Sequence, residues 1–325
     1  MELTGLFFYL VSILIAGGIY ALLCLALNIQ WGMGGLFNAG IAGFFAVGAY
    51  ASAILTTDVS AKHLGGFGLP VAFGLIGAGI LAGVLGWAVA RICVRLKSDY
   101  LAMASIGIAE ILRLVIVNES WATNGSLGLA GIPRPFGEFV SGRSADLVFL
   151  AYVWAVVLIV YVVAMRLYDS PWGRSLRAIR DNEVSADAAG KNIEKFRVQT
   201  FVIGCAFMGV AGGLSAHYFR FLSPSATDPL LVTFLTWVML MAGGSGNNRG
   251  AIVGGLGIWM LWSVTEIFVN RLPPEWVTRS SYIRMLLVGL LLQFVLQKFR
   301  AGIIPEKSPP IRFREQESAR DGRAR

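Results

Sequence analysis

Apolar runs long enough to cross a bilayer follow one another along nearly the whole chain, and few folds accommodate that pattern. A span needs about 20 mostly apolar residues. Runs of roughly that length occupy residues 6–27, 36–55, 69–94, 100–117, 147–167, 198–219, 251–269 and 282–297, with a shorter one at 230–242. In hydrocarbon each segment must satisfy its own backbone polar groups. The expectation is therefore an all-α, polytopic transmembrane helical bundle of about nine spans (8–10). The first two runs, or the seventh and eighth, can contain broken or re-entrant pieces, which leaves the count open. Composition agrees: 56% of the 325 residues are hydrophobic and 14% charged, too few polar groups to cover a water-facing exterior. The first run begins almost at Met1 and has Glu2 as its only early charge. A secretory signal would start basic and be cleaved after a shorter core, so this run is read as a retained span.

The net charge of +8 does not form a phosphate-binding stripe, and no nucleic-acid partner is expected. The basic residues gather at the ends of apolar runs and in the tail, which is a signature of membrane orientation. With the N-terminus outside, the inner segments hold Arg91, Arg95, Lys97, Arg166, the basic residues of 168–197, Arg249 and the tail. The outer segments hold only Lys62, Arg134, Arg143, Arg220, Arg271 and Arg279. The expected topology is N-out, C-in. Residues 1–297 form the transmembrane domain, with 168–197 as a cytoplasmic loop, and 298–325 form a basic cytoplasmic tail expected to be at least partly disordered.

Enzyme machinery is largely missing. No GxxxxGK[ST] phosphate loop occurs, so the chain is not expected to hydrolyse ATP itself. No HExxH or carboxylate-rich metal cluster is present, and neither a cofactor nor a metal is expected. Cys24, Cys93 and Cys205 are widely spaced within apolar runs and read as buried small apolar residues. Ser245 and His217 are the only pair from which an intramembrane serine hydrolase could be built, and Ser245 lacks the final glycine of a nucleophile elbow.

The polar interval at residues 167–201 differs from everything around it. Arg174, Arg177 and Arg180 alternate with Asp181, Glu183 and Asp187, and a small-residue run ends at Gly190. Two short amphipathic helices fit, with Pro171 in a first turn and Gly190 at a C-terminus. Such a loop either docks a partner in the water or simply satisfies the positive-inside rule. Within the spans, Glu110 and Arg113 lie one turn apart and can pair, as a self-neutralising pair or as the wall of a pathway. His217 and Arg220 are read as interfacial anchors. Two glycine-bounded breaks, at 31–40 and 242–250, read either as interrupted spans around a midplane site or as tight turns. Small residues at four-residue spacing, as in Ala39/Gly43, Gly79/Gly83 and Gly209/Gly213, permit close helix contact.

Five segments, GGLFNAGIAGFFAVGAYASAIL (34–55), DYLAMASIGIAEILRLV (99–115), TNGSLGLAGIPRP (123–135), SPWGRSLRAIRDNEVSADAAGKN (170–192) and GVAGGLSAHYFRFLSP (209–224), occur in one order. Together they resemble the permeases of branched-chain amino-acid ABC transporters, of the LivM type, over about residues 17–268. The resemblance implies a sister permease subunit, two cytoplasmic ATPase subunits that use the ATP, and an extracytoplasmic substrate-binding protein, all at a bacterial inner membrane. It also implies that the central loop docks the ATPase through a helix at 182–191, with Glu183, Ala186, Ala189 and Gly190 at the contact. Arg177 and Arg180 can add charge-assisted bonds there. The path would be lined by segments 34–50, 100–113 and 236–250, with Asn38, Gly40, Glu110, Arg113, Trp237, Gly243 and Gly244 as its candidate residues. Branched-chain or other hydrophobic amino acids are the expected substrates, with urea, short amides or aromatic acids as the alternative. The chain departs from the family in lacking a carboxylate at 232–239, where a Ser-x-Glu is common. An ion-coupled secondary transporter is the competing class, for which Glu110 is the one good coupling carboxylate.

Overall fold

The computed structural model describes residues 3–59, 64–96, 98–137, 142–224, 229–269 and 302–306, together with residues 286, 289, 290, 293, 294, 297 and 298. Most of the ninth expected span, His63 and the tail beyond 306 lie outside the described residues. Eleven α-helices are described: α1 Leu3–Leu27, α2 Ile41–Thr56, α3 Val71–Cys93, α4 Ser98–Asn118, α5 Ser120–Thr123, α6 Arg143–Asp169, α7 Pro171–Asp181, α8 Glu183–Ala188, α9 Ile193–Phe219, α10 Pro229–Gly243 and α11 Asn248–Val269. Five helical segments have the length and hydropathy to cross a membrane, and α2 and the apolar part of α10 are shorter. The protein is an all-α, multi-pass membrane protein.

Enclosure is uneven. 78% of the apolar window of α1 is buried, against 28% for α4 and α6, so α1 is surrounded by other helices. α9 packs on α2 and α3, while α1 packs on α6, α9 and α11. The α2–α9–α3 sandwich uses small residues where helices meet: an added Cβ on Gly86 would stand 2.7 Å from Cys205 Cβ. On another side of α2, one on Gly43 would stand 2.8 Å from Ala109 Cα of α4. α4 therefore packs on α2 through the face of α2 that carries Gly43. Cys24, Cys93 and Cys205 are buried and unpaired.

The first break differs from its sequence reading. Residues 28–33 do not interrupt α1; they extend it as a π-helical turn, Asn28–Met33, and the chain unwinds only over 34–40. The cause is polar. Asn28 and Gln30 are fully buried, and the wider turn aims both at partners on other helices instead of at lipid. The second apolar run accordingly becomes helical at Ile41, not at residue 36.

At the far end of α9 from the α7–α8 loop, β1 Leu129–Ala130 pairs antiparallel with β2 Phe221–Leu222. His217 lies there but is fully buried, so it is not an interfacial anchor. Its Nδ1 is 2.7 Å from the Pro133 carbonyl, and its Nε2 is 2.9 Å from Ser52 Oγ. The carbonyl can only accept, so Nδ1 carries the proton and Nε2 accepts from the serine. The imidazole stitches the 124–133 loop to α2 and α9.

Candidate functional site

Four buried polar residues, Gln30, Asn38, Ser105 and Thr233, meet at the unwound segment 34–40 and the start of α2. Gln30 Nε2 donates to the Phe201 carbonyl at 2.9 Å, and Gln30 Oε1 accepts from Asn38 Nδ2 at 2.9 Å. Asn38 Oδ1 accepts from the Gly40 amide at 2.8 Å. Ser105 Oγ of α4 accepts from the Ala39 amide at 2.9 Å, and Thr233 Oγ1 of α10 from the Ala42 amide at 3.3 Å. Non-helical backbone at membrane depth survives only where protein or water satisfies it. Here side chains from α1, α4 and α10 do so, and the break is a built feature held by several helices. Gly40 is required by proximity, since an added Cβ would run into the Ser105 carbonyl.

An aromatic cluster covers this segment. The Phe37 and Trp237 rings are 4.4 Å apart, Trp31 lies 5.4 Å from each, and Trp237 Nε1 donates to the Asn38 carbonyl at 3.2 Å. Asn38, Gly40 and Trp237 are thus brought together. Trp31, Phe37 and Gln30 join them, and sequence reasoning had not singled these out. Glu110 and Arg113 form a forked pair, Arg113 Nε to Glu110 Oε1 and Oε2 at 3.0 and 2.9 Å. Their side chains are half-exposed on α4, away from the Asn38 cluster.

Gly243 and Gly244 occupy the second break, which is a tight helix–helix turn. An added Cβ on Gly243 would meet Gly250 and Gly254 across the α10–α11 crossing, and Gly244 and Gly246 have φ of 115° and 85°. The two breaks are joined through Asn28, whose Oδ1 accepts from the Gly246 amide at 2.7 Å and whose Nδ2 donates to Asn248 Oδ1 at 2.8 Å. Ser245 belongs to this turn, whereas His217 sits near the opposite end of α9, a helix of 27 residues and so about 40 Å long. The two are not brought together.

The polar loop folds as α7 and α8. Ser170 caps α7 by accepting from the Gly173 amide, with Pro171 in its first turn, and Asn182 caps α8 by accepting from the Ser185 amide. Gly190, at φ 75°, stops α8, and the Lys191 amide donates to the Ala186 carbonyl, as in a glycine-terminated helix. Ala186 is buried, while Ala189 and Gly190 are exposed. Glu183 pairs with Arg197 at 2.8 Å. Val184 projects from this polar helix with 80% of its surface exposed. Its signal in the sequence was being the one large aliphatic residue of α8.

Arg177 and Arg180 turn back toward the bundle. Arg177 Nη1 donates to the Tyr168 carbonyl at 2.9 Å, and its guanidinium lies 3.8 Å over the Tyr168 ring. Arg180 donates to the Gly32 carbonyl of the π-helical turn, pairs with Glu306 at 3.1 Å and with Asp181 at 3.0 Å. Burial opposes its charge, but the Glu306 and Asp181 carboxylates outweigh that and hold its pKa above the ordinary arginine value. Glu306 lies in the described stretch 302–306 of the basic tail. The Ile303 and Ile304 amides donate to the Ala242 and Gly243 carbonyls at 2.9 Å each. Arg180 therefore links α7, the π-helical turn and the α10–α11 turn.

A family model described as a branched-chain amino acid transport system permease component matches residues 9–296. The chain is 30% identical to the probable branched-chain amino acid transport permease protein LivM of Methanocaldococcus jannaschii, over 92% of this chain and 95% of that protein. It is 28% identical to the high-affinity branched-chain amino acid transport system permease protein LivM of Escherichia coli, over 91% of this chain and 70% of that protein. It is 25% identical to the corresponding LivH of the same bacterium, over 84% and 90%. No solved structure matches the chain.

Proposed function

The chain belongs to the family of permease components of branched-chain amino acid transport systems, the membrane-spanning subunits of ABC importers, and from that premise we propose how it works. It carries branched-chain or other hydrophobic amino acids along a path beside the unwound segment 34–40. A sister permease supplies the other half of the path, and a binding protein delivers substrate from outside the inner membrane. Two ATPase subunits seat on α7 and α8 from the cytoplasm. About nine spans in N-out, C-in orientation place that loop correctly for them.

The observation that carries this reading is the Arg180 bridge. The C-terminal end of α7 and the π-helical turn above the path share one side chain, so a displacement of the loop is delivered to the break. Gly32, Gly34 and Gly35 make that turn deformable, since glycine crosses between backbone regions at little steric cost. The Trp31–Phe37–Trp237 cluster then rearranges around Asn38, changing access from one side of the membrane to the other. A small zwitterion with an apolar side chain suits a path of aromatic rings and amide groups. A multiply charged ion does not.

The test is leucine uptake into proteoliposomes holding both permeases, the ATPases and the binding protein. ATP-dependent uptake is expected, with none from this chain alone. Uptake by the chain alone, indifferent to ATP, would replace the importer reading with an ion-coupled one. Val184→Asp places a charge where an exposed apolar side chain faces the ATPase, and should weaken ATPase docking about tenfold, measured by co-purification at graded ATPase concentrations. Unchanged docking would remove α8 from the interface.

A further inference from the structure

A groove of about 810 Å³ runs along α9 between α3 and the α6–α7 junction, at the end of the bundle that carries the loop. Lys195, Val198, Gln199 and Val202 form its floor; their spacing puts them on one helical face. Trp87 and Arg91, one turn apart on α3, make one wall, and Leu167 and Trp172 the other. Trp172 Nε1 donates to Gln199 Oε1 at 2.9 Å, which fixes the indole against the floor. Toward the middle of the bundle the lining is Val198, Val202 and Ile203; toward the end it is Arg91 and Lys195.

Among the described residues, charge at the mouth is not balanced. Glu194 is the one described carboxylate lining the groove, and Arg95 takes it at 2.8 Å. Among the described residues neither Arg91 nor Lys195 has a carboxylate within ion-pair distance; Arg91 lies over the Trp87 ring at 5.9 Å. An apolar stretch at Val198, Val202 and Ile203, a basic mouth and flanking tryptophans in one place are what the acyl chain, phosphate and glycerol levels of a lipid demand in turn. The volume falls in the range of small-molecule sites, about 300–1,000 Å³.

We propose that this groove is a binding site for one anionic phospholipid, its phosphate held between Arg91 and Lys195 and one acyl chain lying along Val198 and Val202. The lipid wedges α3 and α9 against the α6–α7 junction, at the root of the α7–α8 loop. This holds for the multi-pass protein whatever its substrate, so a failed uptake assay does not touch it.

Native mass spectrometry of the full-length, delipidated chain tests it, with phosphatidylglycerol and phosphatidylcholine of identical acyl chains as probes. One phosphatidylglycerol is expected to stay bound, with a preference of about 30-fold over phosphatidylcholine, given two basic residues each worth about fivefold. Arg91→Gln with Lys195→Gln should reduce phosphatidylglycerol to the phosphatidylcholine level. Arg91→Lys should retain it, and melting temperatures confirm that the variants fold. Equal binding of the two lipids, or undiminished phosphatidylglycerol on the double glutamine variant, would overturn the proposal. So would displacement of the lipid by millimolar inorganic phosphate, which would mark a free-anion site. Val202→Trp, which fills the groove, should expel the lipid. If it instead severs the sister permease and leaves the lipid bound, the groove is a protein interface and the proposal fails.

Discussion

Arg180→Ala is expected to lower ATP-dependent leucine uptake by about 100-fold, close to 3 kcal/mol in coupling, while the ATPase subunits still bind. The guanidinium does three things at once: it donates to the Gly32 carbonyl, neutralises Glu306 and pairs with Asp181. Its side chain is 23% exposed and that of Glu306 is 27% exposed, so solvent screens the pair only in part. Removing one partner of a fully buried pair costs about 3–5 kcal/mol, and this partly screened pair falls toward or below the lower end of that range. The Gly32 carbonyl also loses its donor from the loop. Arg180→Lys keeps the charge, but an ammonium on a flexible stem does not reproduce the fork that serves a carbonyl and a carboxylate together. A loss of about tenfold is expected for it. The informative comparison is hydrolysis against uptake in the same proteoliposomes. ATP hydrolysis that continues while uptake fails identifies a broken transmission. Uptake within twofold of wild type in Arg180→Ala would show that the bridge is structural decoration. Parallel loss of docking, hydrolysis and uptake would place Arg180 in the stability of the loop alone.

That bridge was only half legible in the sequence. The spacing of arginines and acids between residues 174 and 187, with Pro171 and Gly190 at helix ends, was enough to read α7 and α8. Charge-assisted contacts were expected to point at a partner, but Arg177 and Arg180 point inward. Periodicity reports which face a residue occupies, and nothing in it reports that a carbonyl at Gly32, 148 positions away, will be the acceptor. The π-helical turn was hidden for a similar reason. The first apolar run ends at residue 27, and only the long-range partners of Asn28 and Gln30 at Asn248, Gly246 and Phe201 let the helix continue through them. His217 lay at the end of an apolar run, where an interfacial role is the common one, but the 124–133 loop folds over it and buries it. The apolar runs themselves were read within a few residues of α1, α3, α4, α6 and α9, because hydrocarbon leaves a long apolar segment little choice but helix.

The glycines divide into those that hold the bundle together and those that merely occupy it, and this division yields a second large effect. Gly43, Gly48, Gly79, Gly83, Gly209 and Gly213 share four-residue spacings with other small residues, so the pattern alone ranks them alike. The geometry does not. An added Cβ at Gly48 on α2 would run into the Gly209 backbone of α9, and its third-nearest atom, Gly209 C, would still be only 2.5 Å away. Backbone cannot rotate aside as a side chain can, so α2 and α9 must separate. Gly209 in turn packs closely on α3, where an added Cβ on it would stand 2.5 Å from the Ala78 carbonyl, so α9 has little room to retreat from α2. Gly48→Ala should cost about 3 kcal/mol or more and lower the melting temperature of the purified chain by more than about 5 °C. Gly48→Val, with two further methyl groups, should prevent accumulation in the membrane. At Gly83 on α3 the same addition meets Ala206 Cβ at 3.4 Å, an ordinary contact. Gly83→Ala should therefore leave the melting temperature unchanged or raise it, since alanine in a helix interior is favoured over glycine by up to about 1 kcal/mol. Both variants are read in one thermal-melt series on detergent-purified protein. Equal destabilisation at both positions would mean that helix flexibility, not the α2–α9 approach, is what the glycines supply; a tolerant Gly48 would mean the helices can part without penalty. The expected asymmetry follows from what the new methyl meets: at Gly48 the backbone of a helix wedged between two others at clashing distance, at Gly83 only neighbours at ordinary contact distance, 3.4–3.9 Å.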